Sequence, residues 1–582
     1  ASVFLSLLSL GATAAQSQSS GIWDVVGNSG VTCIHTMLLP NSKLMCIERP
    51  HKGPVRLNSL AGGRGADGVK PPLASSSTFE DGAPLVYANS FCGGHVQMAN
   101  GSILVIGGDR QEWHDEAGNN FLVSGGAARR VYTPCGPGDA TCTMGTWSTF
   151  SDMTSHRWYP TVVTLHDGNQ IIIGGSVENI NMQTPDPAHN NNPTYEYLNA
   201  PSVGTWPKTL PVLTWAFPHS LYPLAASMPS GRVFLFVSNE SLIIDPAQDF
   251  KDPNAMESHD IPDLLPTKHS PWIYPHTATM TVLPMTLKNN YTFKIQICGG
   301  SKLTPRPYAS NSCVQINPDD GPAAAWTAVD PMPNARLMPD SVILPDGKIL
   351  YVNGAGWGQA GGDAGLAQYA ADPVFGVDLF DPEAPSGSQW TSLANATVAR
   401  LYHSGALLLP SGHVITSGSE MQNYADFWGP NGTSAPKPNC FPVAHNGTSS
   451  PPCTSPFEQR IERFTPPYLL NLTIPRPNIT AAPTTLTYNS TFKITVTGSV
   501  DRVTLIRYGS TTHSLNTDQR FMELPIVAKN GNDLYLVAPP SGGYMPPGNH
   551  MLWALNQGVP SLAATVNIQA GPQTNEPIPA GS

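Results

Sequence analysis

Four short stretches hold the residues whose types could do chemistry. Arg400-Leu401-Tyr402-His403-Ser404 sets a phenol beside an imidazole at the head of an apolar run, Gly405 to Leu409. His156-Arg157-Trp158-Tyr159-Pro160 offers a second phenol, and the stretch from Thr511-Thr512-His513-Ser514 to Arg520 a second imidazole. Ser90-Phe91-Cys92-Gly93-Gly94 adds a thiol. Two imidazoles and two phenols form a set of nitrogen and oxygen donors that suits Cu(II) in a tetragonal arrangement and leaves one position open for solvent or substrate. Neighbours in a regular strand point to opposite faces, so Tyr402 and His403 can reach one ligand only where the backbone bends, at a strand entrance. A bare Tyr-His dipeptide is more often a pair of ordinary strand-edge residues. The chemistry therefore depends on whether the four stretches meet.

A repeat is what would bring them together. From about residue 30 to about 420 one pattern recurs: an alternating apolar strand, a tight polar turn, a second apolar strand, then Gly-Gly or a close substitute. The first three copies run from 36 to 46, 95 to 108 and 162 to 175, and the later ones turn at Ser230-Gly231, Asn289-Asn290, Asp346-Gly347 and Ser411-Gly412. Successive turns lie about 58 to 67 residues apart, longer than the roughly 50 of a kelch unit, so the surplus belongs to loops. Asn-Gly and Asp-Gly fit turns in which both central residues need positive φ, and a glycine pair permits close approach near an axis. Each unit has two clear strands and room for two more, which is one propeller blade, and seven blades close into a ring without exposed edges. An array of β-sandwiches competes, but one pattern repeated seven times favours the ring.

Ring closure brings the starts of different blades to one axial face, so Cys92 of the second blade, Tyr159 of the third and Tyr402-His403 of the seventh can converge. Residues 428–458 are rich in Pro, Asn, Ser and Thr and read as a long loop. After Phe464 to Tyr468 the pattern changes to short alternating strands at 491–496, 503–506, 533–537 and 550–555, the spacing of an immunoglobulin-like sandwich. A loop of that sandwich, carrying His513, could plug the ring. The expected organisation is an all-β chain: a secretory signal remnant at 1–15, a seven-bladed kelch-like β-propeller at 16–464, an immunoglobulin-like β-sandwich at 465–570 and a flexible tail at 571–582.

Composition agrees and narrows the classes. Only 12% of the 582 residues are charged, while Gly 53 and Pro 58 are abundant, a mixture of many short strands and turns rather than long helices or charged disorder. The balance of 30 basic and 41 acidic residues gives −11 without a Lys/Arg cluster, which disfavours a nucleic-acid surface. Residues 1–10 are apolar and lead into Ala12-Thr13-Ala14-Ala15, like the core and cleavage site of a signal peptide. The run is too short to span a bilayer. Sequons at Asn100, Asn239, Asn290, Asn395, Asn431, Asn446, Asn471, Asn478 and Asn489 point the same way, to an extracellular glycoprotein. Secretion favours cysteine pairing, and the near neighbours are Cys33 with Cys46, Cys135 with Cys142, Cys298 with Cys313 and Cys440 with Cys453. Cys92 is left over, as an intermolecular bridge, a free or buried thiol, or a modified residue.

With these motifs in hand, the chain resembles the copper radical oxidases, the galactose oxidase and glyoxal oxidase family of secreted fungal enzymes, over most of its length. Phe91-Cys92-Gly93-Gly94 resembles the family's crosslinking cysteine motif and Arg157-Trp158-Tyr159-Pro160 that of its equatorial tyrosine. Leu401-Tyr402-His403-Ser404 resembles the axial tyrosine and first histidine, and Thr512 to Arg520 the second histidine. The resemblance implies one copper ion held by Tyr159, Tyr402, His403 and His513. It also implies a protein-derived radical cofactor in which Tyr159 is joined to Cys92 by a thioether. Two-electron oxidation with O2 going to H2O2 needs that second oxidising equivalent, because one copper ion stores one. Tyr402 would be the base that takes the substrate's hydroxyl proton.

One departure bears on substrate. Galactose oxidase carries a tryptophan after the Gly-Gly of the blade holding its crosslinked tyrosine, whereas here Gly174-Gly175-Ser176 is followed by Val177. Glyoxal oxidases lack that tryptophan too, which points to small aldehydes (glyoxal, methylglyoxal and glycolaldehyde, as hydrates) and to H2O2 supplied to extracellular peroxidases. Trp357 and Trp428 could line the pocket instead, or simply pack in loops. The alternatives are a primary-alcohol oxidase on the same scaffold and a non-catalytic glycan-binding propeller. A monomer is expected.

Overall fold

The computed structural model describes residues 20–579 apart from 30, 48–59, 62–87, 115–119, 137–138, 140, 143–144, 179, 181–184, 201–204, 249–256, 259–271, 303–307, 361–369, 421–457 and 472. The expectations for residues 1–15, Trp428, Asn431, Asn446 and Cys440 with Cys453 concern residues outside these. Among the described residues the chain is all-β with a few one-turn helices.

The repeated units fold as antiparallel sheets. The second unit orders Thr146–Thr149, Arg129–Thr133, Ile103–Ile106 and Gly94–Gln97 side by side. The third runs from Thr161–Thr164 through Gln170–Ile173 to Thr194–Tyr197 and Lys208–Thr209, and the fourth, fifth and sixth are built in the same way. The first strand of the second, third and sixth units, Gly94–Gln97, Thr161–Thr164 and Asp340–Ile343, is buried from end to end, and that of the fourth and fifth at all but one residue. The turns fall where expected but are of another kind: Gly168 and Gly347 take φ of +91° and +88°, whereas Asp167 and Asp346 before them are not left-handed, so one central residue and not both needs positive φ.

Two sheets are completed by distant segments. In the last, Ser404–Leu408 pairs with Val414–Gly418, which pairs in turn with Arg460–Thr465, whose other edge takes the N-terminal strand Ile22–Asn28. In the first, His35–Leu38 pairs on one side with Leu44–Ile47 and on the other with Ser510–Thr512, Thr36 facing Thr511. Beyond Thr465, two further sheets, one containing Thr491–Thr497 and the other Gly548–Asn556, share a core of Phe492, Ile494, Val503, Leu534, Leu552 and Val566. Residues 571–579, within the expected tail, form no helix or strand and are mostly exposed. Asn575 Oδ1 accepts from the Thr491 N–H at 2.9 Å and the Glu576 N–H donates to Thr491 O at 2.8 Å, which ties the segment to the start of that strand.

The glycine pairs do the work expected of them. A Cβ on Gly107 would lie 2.2 Å from Arg157 O, and one on Gly418 would lie 2.4 Å from both Cys33 O and His403 O. The absence of side chains there lets the segments ahead of neighbouring inner strands touch. Three expected disulfides are present, Cys33–Cys46, Cys135–Cys142 and Cys298–Cys313. Six described sequon asparagines, 100, 290, 395, 471, 478 and 489, are exposed, and Asn239 is half-buried.

Candidate metal centre

Four of the five site residues sit just ahead of the first strand of their sheet, and His513 lies between the short strands Ser510–Thr512 and Leu515–Asn516. Cys92 precedes Gly94–Gln97, Tyr159 precedes Thr161–Thr164, and Tyr402-His403 precede Ser404–Leu408. The bend required at Tyr402-His403 is a left-handed residue, His403 at φ +64°. Cys92, Tyr159 and His513 adopt the same conformation at +54°, +60° and +50°. Such residues are uncommon outside glycine and cluster where the surroundings over-determine them. Backbone bonds lock the row in place: the Tyr159 N–H donates to Cys92 O at 2.9 Å, and the Tyr222 N–H to Tyr159 O at 2.9 Å.

All five singled-out residues converge. The Tyr159 and Tyr402 hydroxyls are 2.5 Å apart, and the Tyr402 and His403 rings stack at 3.6 Å. Cys92 Sγ lies 3.5 Å from His513 Nε2 and 3.7 Å from His403 Nε2. One ligand atom from each of Cys92, His403 and His513 falls within 4.8 Å of the others. All are buried, Cys92 at 0% exposure and Tyr402 and His513 at 5%.

The hydrogen bonds behind the imidazoles decide which nitrogen faces inward. His403 Nδ1 lies 2.8 Å from Glu420 Oε1, and because an ionised carboxylate only accepts, Nδ1 carries the proton. Thr512 Oγ1 donates its only proton to Ile34 O at 3.0 Å, so it accepts from His513 Nδ1–H at 2.5 Å. Both Nε2 atoms are thereby left as inward-facing lone pairs, the form a metal ion binds. Burial pushes His513 well below the usual imidazole range, with the His403 and His95 rings adding to it. Burial also pushes the Tyr159 phenol far up, reinforced by Cys92, Tyr274 and Tyr402, and does the same to Tyr402, reinforced by Tyr274 and Cys92. Left to the protein alone, the site holds two neutral phenols and a neutral imidazole in a dry interior. A divalent cation reverses that preference for the phenols, so the donor set fits one copper ion: two imidazole nitrogens, two phenol oxygens and room beside them.

The structure adds residues that the sequence reading missed. Tyr222 and Met338, at φ +46° and +54°, hold the same place ahead of Leu224–Ser227 and Asp340–Ile343. Tyr222 and Tyr274 pack on Tyr159 with ring centroids 4.8 and 4.6 Å away. Met338 joins Tyr402, His403 and His513 in lining a small cavity. The signal was present as a repeat, Tyr159-Pro160, Tyr222-Pro223 and Met338-Pro339, each beginning two residues ahead of its strand.

Val177 does occupy the position after Gly174-Gly175-Ser176, but Trp158 brings an indole to the Tyr159 ring, centroids 4.2 Å apart and planes at 85°. The left-handed turn at Tyr159 breaks strand alternation, so adjacent side chains can meet. Trp357 is buried in the strand Ala355–Trp357, opposite Tyr308 and Ala371.

Comparison with known proteins agrees with this geometry. The family model described as Glyoxal oxidase N-terminus matches residues 83–431, and that of the galactose oxidase-like early set domain matches 476–568. An aldehyde oxidase GLOX of Vitis pseudoreticulata is 27% identical over 94% of this chain and 97% of its own length. A WSC domain-containing protein of Arthroderma benhamiae is 30% identical over 79% of this chain, and the match spans 45% of that longer relative. A copper complex of a fungal alcohol oxidase of the AA5 family superposes with a TM-score of 0.65 at 19% identity, covering 95% of this chain and 100% of that one.

Proposed function

The chain belongs to the copper radical oxidase family of glyoxal oxidase and galactose oxidase, and from that premise we propose that it oxidises small aldehydes, as their hydrates, to carboxylic acids while reducing O2 to H2O2. The observation that supports this most is the convergence of Tyr159, Tyr402, His403, His513 and Cys92, with both Nε2 lone pairs turned inward. A glycan-binding propeller has no need of such a buried set.

The reaction balances as gem-diol plus O2 giving acid plus H2O2, two electrons and two protons passing from substrate to oxygen. Copper, when bound, supplies one oxidising equivalent and a Lewis acid. In this reading the second equivalent is held by Tyr159, joined to Cys92 by a thioether whose sulfur eases loss of an electron from the ring. His403 and His513 hold the ion. Tyr402 takes the hydroxyl proton of the substrate, and its contact with the Tyr159 hydroxyl gives that proton a short path. Tyr222, Tyr274 and Trp158 exclude water from the Tyr159 ring.

The same reading takes the repeated sheets as seven blades of a closed propeller and the two C-terminal sheets as an immunoglobulin-like sandwich. It makes the protein a secreted glycoprotein supplying H2O2 to peroxidases, supported by exposed sequons and disulfides. A primary-alcohol oxidase is the second reading, and Trp158 is the observation in its favour, because its indole restores an apolar wall beside Tyr159. A peroxidase-coupled panel on copper-loaded, pre-oxidised protein separates the two. Glyoxal, methylglyoxal and glycolaldehyde should give the higher kcat/KM. A higher value for galactose or a long-chain primary alcohol would overturn the aldehyde assignment.

A further inference from the structure

The two inward-facing imidazoles are not held alike. His513 leans on a neutral hydroxyl, Thr512 Oγ1 at 2.5 Å, whereas His403 leans on a carboxylate, Glu420 Oε1 at 2.8 Å. The His403–Glu420 pair is shut away from water, with side chains 1% and 2% exposed. Glu420 is delivered there by the sheet itself: Ser404 faces Gly418 across the strand pair, the Ser419 N–H donates to His403 O, and the Glu420 N–H donates to Tyr402 O, both at 3.1 Å. The carboxylate therefore has a fixed address behind one ligand only. A charged acceptor makes a stronger hydrogen bond than a neutral one, and in a low-dielectric interior the negative charge is felt along the imidazole.

Resting on the copper reading, we propose that Glu420 is a positioning residue that makes His403 the more electron-donating of the two imidazoles and biases the site toward Cu(II) over Cu(I). The carboxylate fixes the tautomer with Nε2 unprotonated and facing Cys92 Sγ, and transmits negative charge to it. A divalent ion gains more from that charge than a monovalent one. His513, backed only by Thr512, supplies geometry without the bias.

The test is the affinity of wild-type and Glu420→Gln apo-protein for each valence, by competition with chelators of Cu(II) and of Cu(I). The amide is nearly isosteric and can still accept from Nδ1–H, but it carries no charge. Loss of such a partner ordinarily weakens metal binding 10- to 100-fold. We expect Cu(II) affinity to fall by about that much and Cu(I) affinity distinctly less, raising the copper potential by about 59 mV per tenfold of difference. Equal losses for both valences, or no loss, would overturn the proposal. Should Glu420→Gln not fold, nitrogen-15 NMR of the wild-type apo-protein still decides: His403 must be protonated at Nδ1, and protonation at Nε2 would overturn it. A wild-type protein that takes up no copper overturns the copper reading and this inference together. Tight wild-type binding beside an unaffected variant overturns this inference alone.

Discussion

Tyr402 and Tyr159 share a 2.5 Å contact between hydroxyls that burial keeps protonated in the protein alone. Replacing Tyr402 by Phe removes one oxygen and leaves three of the four metal donors. Copper should stay largely bound while turnover falls about 10²- to 10⁴-fold, the usual worth of a positioned acid or base. His403→Ala or His513→Ala should instead lose copper. Metal content and oxidase rate measured on the same samples separate the roles, and full activity in Tyr402→Phe would remove it from the mechanism. Asp340, one strand away, is a different kind of buried acid. Burial raises its pKa from 3.8 to about 7, against the pull of its bonds to Asn353 at 2.7 Å and Ser404 at 3.5 Å. Because the folded value lies above the unfolded one, the stability this group contributes is fully present below pH 3.8 and is lost as pH rises toward 7. Asp340→Asn should flatten the fall in Tm between those limits relative to wild type. An unchanged difference from pH 4 to pH 8 would contradict it.

At the scale of elements, the site depends on how closely the loop ahead of one inner strand can approach the neighbouring sheet. Gly107 has no room for a Cβ, which would meet Arg157 O at 2.2 Å, two residues before Tyr159, and its φ of +63° is left-handed. Gly387 is left-handed too, at +85°, yet has nothing within 4 Å. Gly387→Ala should therefore cost only the backbone penalty, about 1–2 kcal/mol. Gly107→Ala should cost clearly more and should weaken copper uptake by displacing Tyr159. Equal loss of stability in the two variants would show that the close approach does not hold the tyrosine. This contact also marks what was legible. Gly-Gly, Asp-Gly and the strand alternation announced the repeat, and the four motifs announced Cys92, Tyr159, Tyr402, His403 and His513. Tyr222 and Met338 were legible in principle from the aligned Tyr-Pro and Met-Pro steps. Glu420 was not, because nothing in Ser419-Glu420 says which ring lies across the strand pair until Ser404 is placed opposite Gly418. Trp158 was not either, because its contact depends on a left-handed φ at Tyr159 that a non-glycine residue does not advertise.

For the whole molecule, the segment around His513 is the brace between the C-terminal sheets and the repeat. Thr511 pairs with Thr36, Asp518 accepts from the Thr164 N–H at 3.2 Å, Gln519 accepts from the Ile343 N–H at 2.8 Å, and Arg520 donates to Ser227 O at 2.8 Å. One loop from the far end of the chain thus touches the first, third, fourth and sixth units while delivering the second imidazole. The change of pattern after Phe464 was legible in the sequence, but the pairing of Ser510–Thr512 with His35–Leu38 follows only from the three-dimensional structure. The central claim is that these distant segments meet to build a copper and tyrosine–cysteine redox site. Peptide mass spectrometry of the protein before and after aerobic copper loading tests it most directly. The account predicts that the peptides holding Cys92 and Tyr159 become one species, lighter than their sum by two hydrogens, only after loading. Recovery of an alkylatable Cys92 thiol from fully copper-loaded, active enzyme would contradict it.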